Sequence, residues 1–127
     1  MPAITDLSRL LSSMEPILHP TPYGYAVTDT PVPGTFATVA EDEGLTVIAP
    51  HPALLAAGVD PGPAWARISL TVHSDLAAVG LTAAFARALA DHGISANVVA
   101  GFHHDHILVP WDRRQEALAA LQALSHA

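Results

Sequence analysis

The sequence contains neither cysteine nor lysine. Without cysteine the chain has no disulfides, no thiolate nucleophile and no zinc site that needs sulfur ligands. Without lysine it has no Schiff-base chemistry and no P-loop. No apolar run approaches the length needed to cross a bilayer, and the start, MPAITDLSRLL, lacks the basic and apolar regions of a signal peptide. We therefore expect a cytoplasmic protein with no membrane partner.

Basic residues are also scarce. Five arginines face twelve carboxylates, and the formal net charge is −7. Such a chain repels phosphate backbones and has no basic stripe to overcome that repulsion, so nucleic acid is not expected as a partner. Half of the 127 residues are hydrophobic. This is enough for one compact domain or for two small halves that share a core.

The most regular part of the chain runs from Ala66 to Val109. Its first segment alternates apolar and polar residues, which predicts a half-buried strand. A polar loop leads to Gly80, after which apolar residues recur at helical spacing and share one face; they are Leu81, Phe85, Ala88, Leu89 and His92. Gly93 is placed to end this helix.

Two extended segments follow, Ile94 to Gly101 and His106 to Val109. A second helix is predicted to begin at Asp112, which can cap it, and Gln115 would complete a capping box. The order β-α-β-β-α is most of a ferredoxin-like βαββαβ unit, an α+β fold. It lacks the last strand. We predict that the N-terminal half supplies that strand, so that the halves interleave.

The N-terminal half has weaker signals. A helix with an apolar face is expected before Pro16, and then extended segments around Ile17 to His19 and Tyr23 to Thr28. A hairpin with an acidic turn and a short helix follow the proline-rich connector DTPVPG. The segment VDPGP, residues 59–63, is the expected boundary, which gives an N-terminal half of residues 1–62 and a C-terminal half of residues 63–127.

The stretch VHSDLAAVGLTAAFARALADHGISANVVAGFHHDHILVP, from Val72 to Pro110, resembles the signature of a small bacterial family of ACT-domain proteins. The resemblance implies a ferredoxin-like fold in two ACT-like halves. It also implies a non-enzymatic role: sensing a small molecule, usually an amino acid, at an interface between ACT units and so regulating a partner. By position, it assigns ligand contact to Val79, Gly80 and Leu81 in the loop and to Ile94, Ser95, Ala96 and Asn97 on the facing strand.

The residues themselves also favour the loop from His73 to Gly80 as a ligand site, with His73, Ser74 and Asp75 at its start. It joins a strand end to a helix start, where backbone N–H groups without helical partners suit a carboxylate. Asn97 has both a donor and an acceptor for an amino acid. The plainer alternative is that Gly80 only eases the turn and Asn97 only satisfies backbone groups.

The cluster His103-His104-Asp105-His106, with help from His73 and Asp75, is a candidate metal site for a metal-dependent enzyme. Strand alternation would point its members to opposite faces, which favours a tight turn instead. No cofactor is expected. Arg67 could pair with a ligand carboxylate or a neighbouring subunit's acid, although an exposed strand arginine is the simpler interpretation.

No nucleophile paired with a base is visible, since Ser74 and His73 are sequence neighbours and no G-x-S-x-G motif is present. We therefore expect no enzymatic activity. Few charges and open sheet edges predict a homodimer. A structural or interaction module without a ligand remains the alternative from a different functional class.

Overall fold

A computed structural model of the chain describes residues 7–71 and 79–125. Over these residues the elements are α1 (Leu7–Ser13), β1 (Pro16–Leu18), β2 (Tyr23–Thr28), β3 (Ala37–Glu41), β4 (Gly44–Pro50), α2 (His51–Ala56), β5 (Trp65–Leu70), α3 (Leu81–Asp91), β6 (Asn97–Ala100), β7 (Asp105–Pro110) and α4 (Arg114–Ser125). The C-terminal half has the predicted order β-α-β-β-α, from β5 to α4.

The strands form one antiparallel sheet in the order β3-β4-β2-β5-β7-β6. Strand β1 lies off this path and pairs with β5, with Pro16 opposite Leu70 and Leu18 opposite Ile68. The C-terminal half has no strand of its own for this position among the described residues, and β1 of the N-terminal half fills it. The prediction that the N-terminal half supplies this strand is therefore confirmed.

One face of the sheet carries the main core. On β5 the side chains of Ala66, Ile68 and Leu70 are fully buried, as the alternation predicts, and they face α3 and its buried Phe85. Leu10 of α1 is buried in the same core. Each large apolar side chain buried here contributes about 1.5–3 kcal/mol relative to exposure, so the two halves stabilise each other.

The opposite face is curled rather than flat. The Phe36 ring, just before β3, lies 5.1 Å from the His106 ring on β7. These strands are four positions apart in the sheet, a distance of about 19 Å if the sheet were flat. The curl closes this face around a second apolar cluster of Tyr23, Ile48 and Leu108.

Two local predictions are wrong. The last helix is preceded by a 3₁₀ turn, Trp111–Arg113, whose N-terminal cap is Pro110 with no side-chain hydrogen bond, so Asp112 does not cap it. Strand β6 begins at Asn97, not at Ile94, because Ile94 is held in the end of α3. Its N–H donates to the carbonyl of Leu89, 3.0 Å away, and Gly93 is left-handed at φ 68°, the pattern of a Schellman motif.

Candidate functional site

The glycine corner before α3 lies against the N-terminal half. Gly80 adopts φ 98°, and its carbonyl accepts the first helical bond from Ala84 N–H at 2.9 Å. A Cβ on Gly80 would lie 3.1 Å from Cδ2 of Leu7 on α1. Val79 is 84 % exposed, whereas Leu81 is buried in the core. Of the predicted loop residues, His73, Ser74 and Asp75 lie outside the described part of the chain.

The predicted strand residues take different positions. Ile94 is buried in the core, and its side chain packs away from solvent. Ser95 is exposed and Ala96 half-buried in the segment before β6. Asn97 is the first residue of β6 and is exposed. Within this group Ser95 and Asn97 are therefore the polar side chains available to a ligand.

Within one chain, the Gly80 corner and the segment from Ile94 to Asn97 lie apart. Helix α3 has 11 residues, which places Gly80 and Ile94 about 16 Å apart at its two ends. Each segment instead meets the N-terminal half: Gly80 meets Leu7, and Asn97 lies close to Tyr25. A ligand of amino-acid size therefore cannot contact both segments of one chain at once.

Burial raises the pKa of the Tyr25 phenol, and the nearby Asn97 side chain opposes that shift. The Tyr25 hydroxyl is buried, and its geometry falls short of a hydrogen bond with any described residue. Its aromatic ring packs edge-on against Trp65, with 5.6 Å between centroids. The Tyr25 hydroxyl on β2 and the exposed Asn97 amide on β6 are therefore neighbouring polar groups.

A polar cluster that the sequence did not predict lies on the curled face. Ser69 Oγ is 2.7 Å from His19 Nε2 and 2.7 Å from His106 Nδ1. Arg67 Nη2 is 3.3 Å from the same His106 nitrogen, and Arg67 Nη1 donates to the Tyr23 hydroxyl at 3.1 Å. These residues come from four separate parts of the sheet, and β1, β2, β5 and β7 bring them together.

The donor groups of Arg67 assign a tautomer to His106. Arginine only donates, so His106 Nδ1 accepts, and the ring is neutral with its proton on Nε2. Ser69 O–H then donates to His106 Nδ1, and the Ser69 oxygen accepts from His19 Nε2–H. Burial, followed by Arg67, His19 and His104, lowers the pKa of His106 to about 4. Burial and Arg67 also lower the pKa of His19.

The interpretation of Arg67 as an exposed strand residue is wrong. Its guanidinium carbon lies 3.8 Å from the centre of the Phe36 ring and 5.7 Å from that of Tyr23, and its Nε is buried without a hydrogen-bond partner. Strand alternation placed Arg67 on the face away from the helices, but the curl that covers this face has no signal in the β5 sequence.

His103 and His104 lie in the turn between β6 and β7, as predicted, whereas Asp105 and His106 are the first residues of strand β7. Gly101 N–H donates to the His104 carbonyl at 2.9 Å. Burial raises the pKa of Asp105, and His104 opposes the shift. No group of three or more metal-ligating side chains occurs among residues 7–71 and 79–125, whereas His73 and Asp75 lie outside them. Instead, His106 belongs to the Arg67 cluster.

The neutral histidines make stability depend on pH. In the unfolded chain His106 takes up a proton near pH 6.5, but in the fold it does so only near pH 4. The stability present above pH 6.5 is therefore lost as the pH falls toward 4. Screening at this half-buried site limits the effect to about 1–2 kcal/mol. Urea unfolding should show a shallower loss between these pH values in His106→Gln; equal slopes would contradict the assignment.

Sequence profiles of known domain families match both halves of this architecture. An ACT-domain sequence profile matches residues 2–62, and a second ACT-domain profile matches residues 63–123. No curated protein sequence matches the chain. No helix in the described part of the chain is long and apolar enough to cross a membrane.

Solved structures share the fold. A Vibrio cholerae protein of unknown function, described as a possible transport protein, is 43 % identical over 94 % of this chain and 95 % of its own, with a TM-score of 0.83. An Agrobacterium tumefaciens protein is 19 % identical over 88 % and 89 %, with a TM-score of 0.70. The ligand-free regulatory subunit of Thermus thermophilus aspartate kinase is 12 % identical over 86 % and 95 %, with a TM-score of 0.60. The chain therefore belongs to the ACT-domain family, as a small protein built from two ACT-like halves.

Proposed function

We propose that this protein is a cytoplasmic, non-enzymatic sensor that binds an amino acid between ACT units and thereby regulates a partner. The observation that carries the proposal is the Gly80 corner, a left-handed glycine at the start of a helix packed against the other half of the chain. Backbone N–H groups at a helix start have no helical partners and suit a carboxylate. The regulatory character is that of the ACT domain as a class.

The second part of the proposed site is the segment from Ile94 to Asn97, with the Asn97 amide and the Tyr25 hydroxyl as polar groups for the ligand's amino group. The two parts lie about 16 Å apart within one chain. We therefore propose a homodimer in which the corner of one chain faces the strand segment of another. Ligand binding would shift the relative position of the chains.

Thermal melts with each of the twenty amino acids test the proposal. A ligand at about one hundred times its dissociation constant stabilises the fold by ~2.7 kcal/mol, so at least one amino acid should raise the melting temperature by several degrees. Sedimentation of the protein with and without that amino acid gives the oligomeric state. No shift with any amino acid would favour a structural module that lacks a ligand.

Two glycine variants locate the effect. Gly80→Ala places a Cβ against Leu7 and imposes a left-handed conformation on alanine, so we expect it to abolish the ligand-induced shift. Gly58→Ala carries a similar backbone penalty at φ 73° but has open space around it. It should lower the melting temperature by no more than Gly80→Ala does, and it should keep the full ligand response. Equal ligand responses in the two variants would place the ligand elsewhere.

A further inference from the structure

The curled face carries a positive charge with no carboxylate partner. Arg67 donates to a phenol and to a neutral imidazole. The ion pair found among the described residues joins Arg113 and Glu116 on the surface and does not involve Arg67. A half-buried guanidinium without an anion loses hydration that these neutral partners replace only in part. The site therefore favours a negative charge, even though the whole chain is acidic.

The geometry points to a small-oxyanion site at Arg67, His19, Ser69 and His106, separate from the Gly80 corner, which would take a carboxylate- or phosphate-type group of a metabolite. Arginine matches such groups with two parallel N–H donors. The buried Nε–H, which has no acceptor, is the donor left for this contact. The neutral His106 ring keeps an N–H on Nε2, and protonation of His106 or His19 would add a further donor to the cluster.

Access depends on Phe36. Its ring lies over the guanidinium at 3.8 Å and against His106 at 5.1 Å. Phe36 immediately precedes β3, which is an outer strand of the sheet. An oxyanion that reaches Arg67 Nε must displace this ring, so the cation–π contact of the empty site is exchanged for a charge-assisted pair.

Occupation of the site should also change its protonation. The titratable or polar groups around His106 are Arg67 and Ser69 on β5, His19 after β1, and His104 in the turn. Tyr23 on β2 contacts Arg67, from which it accepts a hydrogen bond. The charged or chargeable groups among them disfavour a proton on His106 in the empty site. An anion reverses that balance, so binding should be tighter at low pH, with proton uptake by His106 or His19.

The test is a titration of the full-length protein with sodium oxalate and with sodium sulfate, two oxyanions that keep their charge between about pH 5 and pH 8. Ionic strength is held constant with sodium chloride. Imidazole NMR signals of His106 and His19 report the site directly. We expect the His106 pKa to rise by about two units at saturation, and affinity to fall about tenfold from pH 5 to pH 8.

Binding of oxalate alone would identify a carboxylate ligand, and binding of sulfate alone a phosphate-type ligand; either supports the site. Arg67→Gln should weaken binding at least tenfold. The matched control is Arg114→Gln, since Arg114 also stacks on an aromatic ring, Trp111 at 3.9 Å, but lies outside the cluster. It should bind as the unchanged protein does.

The proposal is overturned if neither anion moves the His106 signals, or if both arginine variants lose binding equally. If Arg67→Gln does not fold, the rise in the His106 pKa of the unchanged protein still decides the question. These readouts do not depend on amino-acid binding at the Gly80 corner. A negative result for the oxyanion site therefore does not contradict amino-acid binding at the Gly80 corner. A negative result at the Gly80 corner likewise does not contradict the oxyanion site.

Discussion

Leu10→Ala is expected to lower the free energy of unfolding by about 2–5 kcal/mol, because it removes a fully buried side chain and leaves a cavity in the main core. Leu10 belongs to the N-terminal half, but its core neighbours include Phe85 and Leu121 of the C-terminal half. Urea unfolding should show one cooperative transition, shifted to lower urea, for both halves together.

The control for this change is Leu55→Ala, which shortens a side chain that is 63 % exposed on α2. A substitution at such a position usually changes stability by less than about 0.5 kcal/mol. If Leu10→Ala produced two separate transitions, with only the N-terminal half destabilised, the shared core would be contradicted.

Gly24→Ala is expected to destabilise the fold by about 3 kcal/mol, because the new Cβ has no space. It would lie 2.3 Å from the Pro61 carbonyl oxygen and 3.0 Å from Cδ1 of Leu54. The first of these contacts is with backbone, so strand β2 and the segment between the halves would have to separate. The backbone φ of Gly24 is not in the left-handed region, so the cost is steric.

Thermal and urea unfolding of Gly24→Ala measure this cost. Gly58→Ala is the comparison, since it changes another glycine of the N-terminal half with no atom within 4 Å of the added Cβ. Its cost is the left-handed backbone penalty of about 1 kcal/mol. A smaller loss in Gly24→Ala than in Gly58→Ala would show that β2 does not press against Pro61.

The sequence predicted the elements where one local period dominates. Alternation on β5 and the spacing of Leu81, Phe85 and Leu89 on α3 both match the buried residues observed. The order β-α-β-β-α predicted for the C-terminal half is one strand short of a βαββαβ unit, and this predicted a strand supplied by the N-terminal half. The pairing of β1 with β5 confirms that prediction.

The polar cluster could not be predicted in the same way. His19, Ser69 and His106 are 50 and 37 residues apart in sequence, and they meet only because of the register of three strands. The curl that brings Phe36 over Arg67 depends on the whole sheet. Likewise, the composition around Ile94 predicts a strand. The left-handed Gly93 instead turns the chain so that the Ile94 N–H caps the C-terminal end of α3.

An amide NMR titration of the full-length protein with the twenty amino acids in turn tests the proposed site most directly. We expect at least one amino acid to shift the signals of Gly80 and Leu81 together with those of Ser95 and Asn97, with one common dissociation constant. Signals of Gly58 should stay unchanged. If no amino acid shifts these signals, or if the two groups respond to different ligands, the proposed site between ACT units is contradicted.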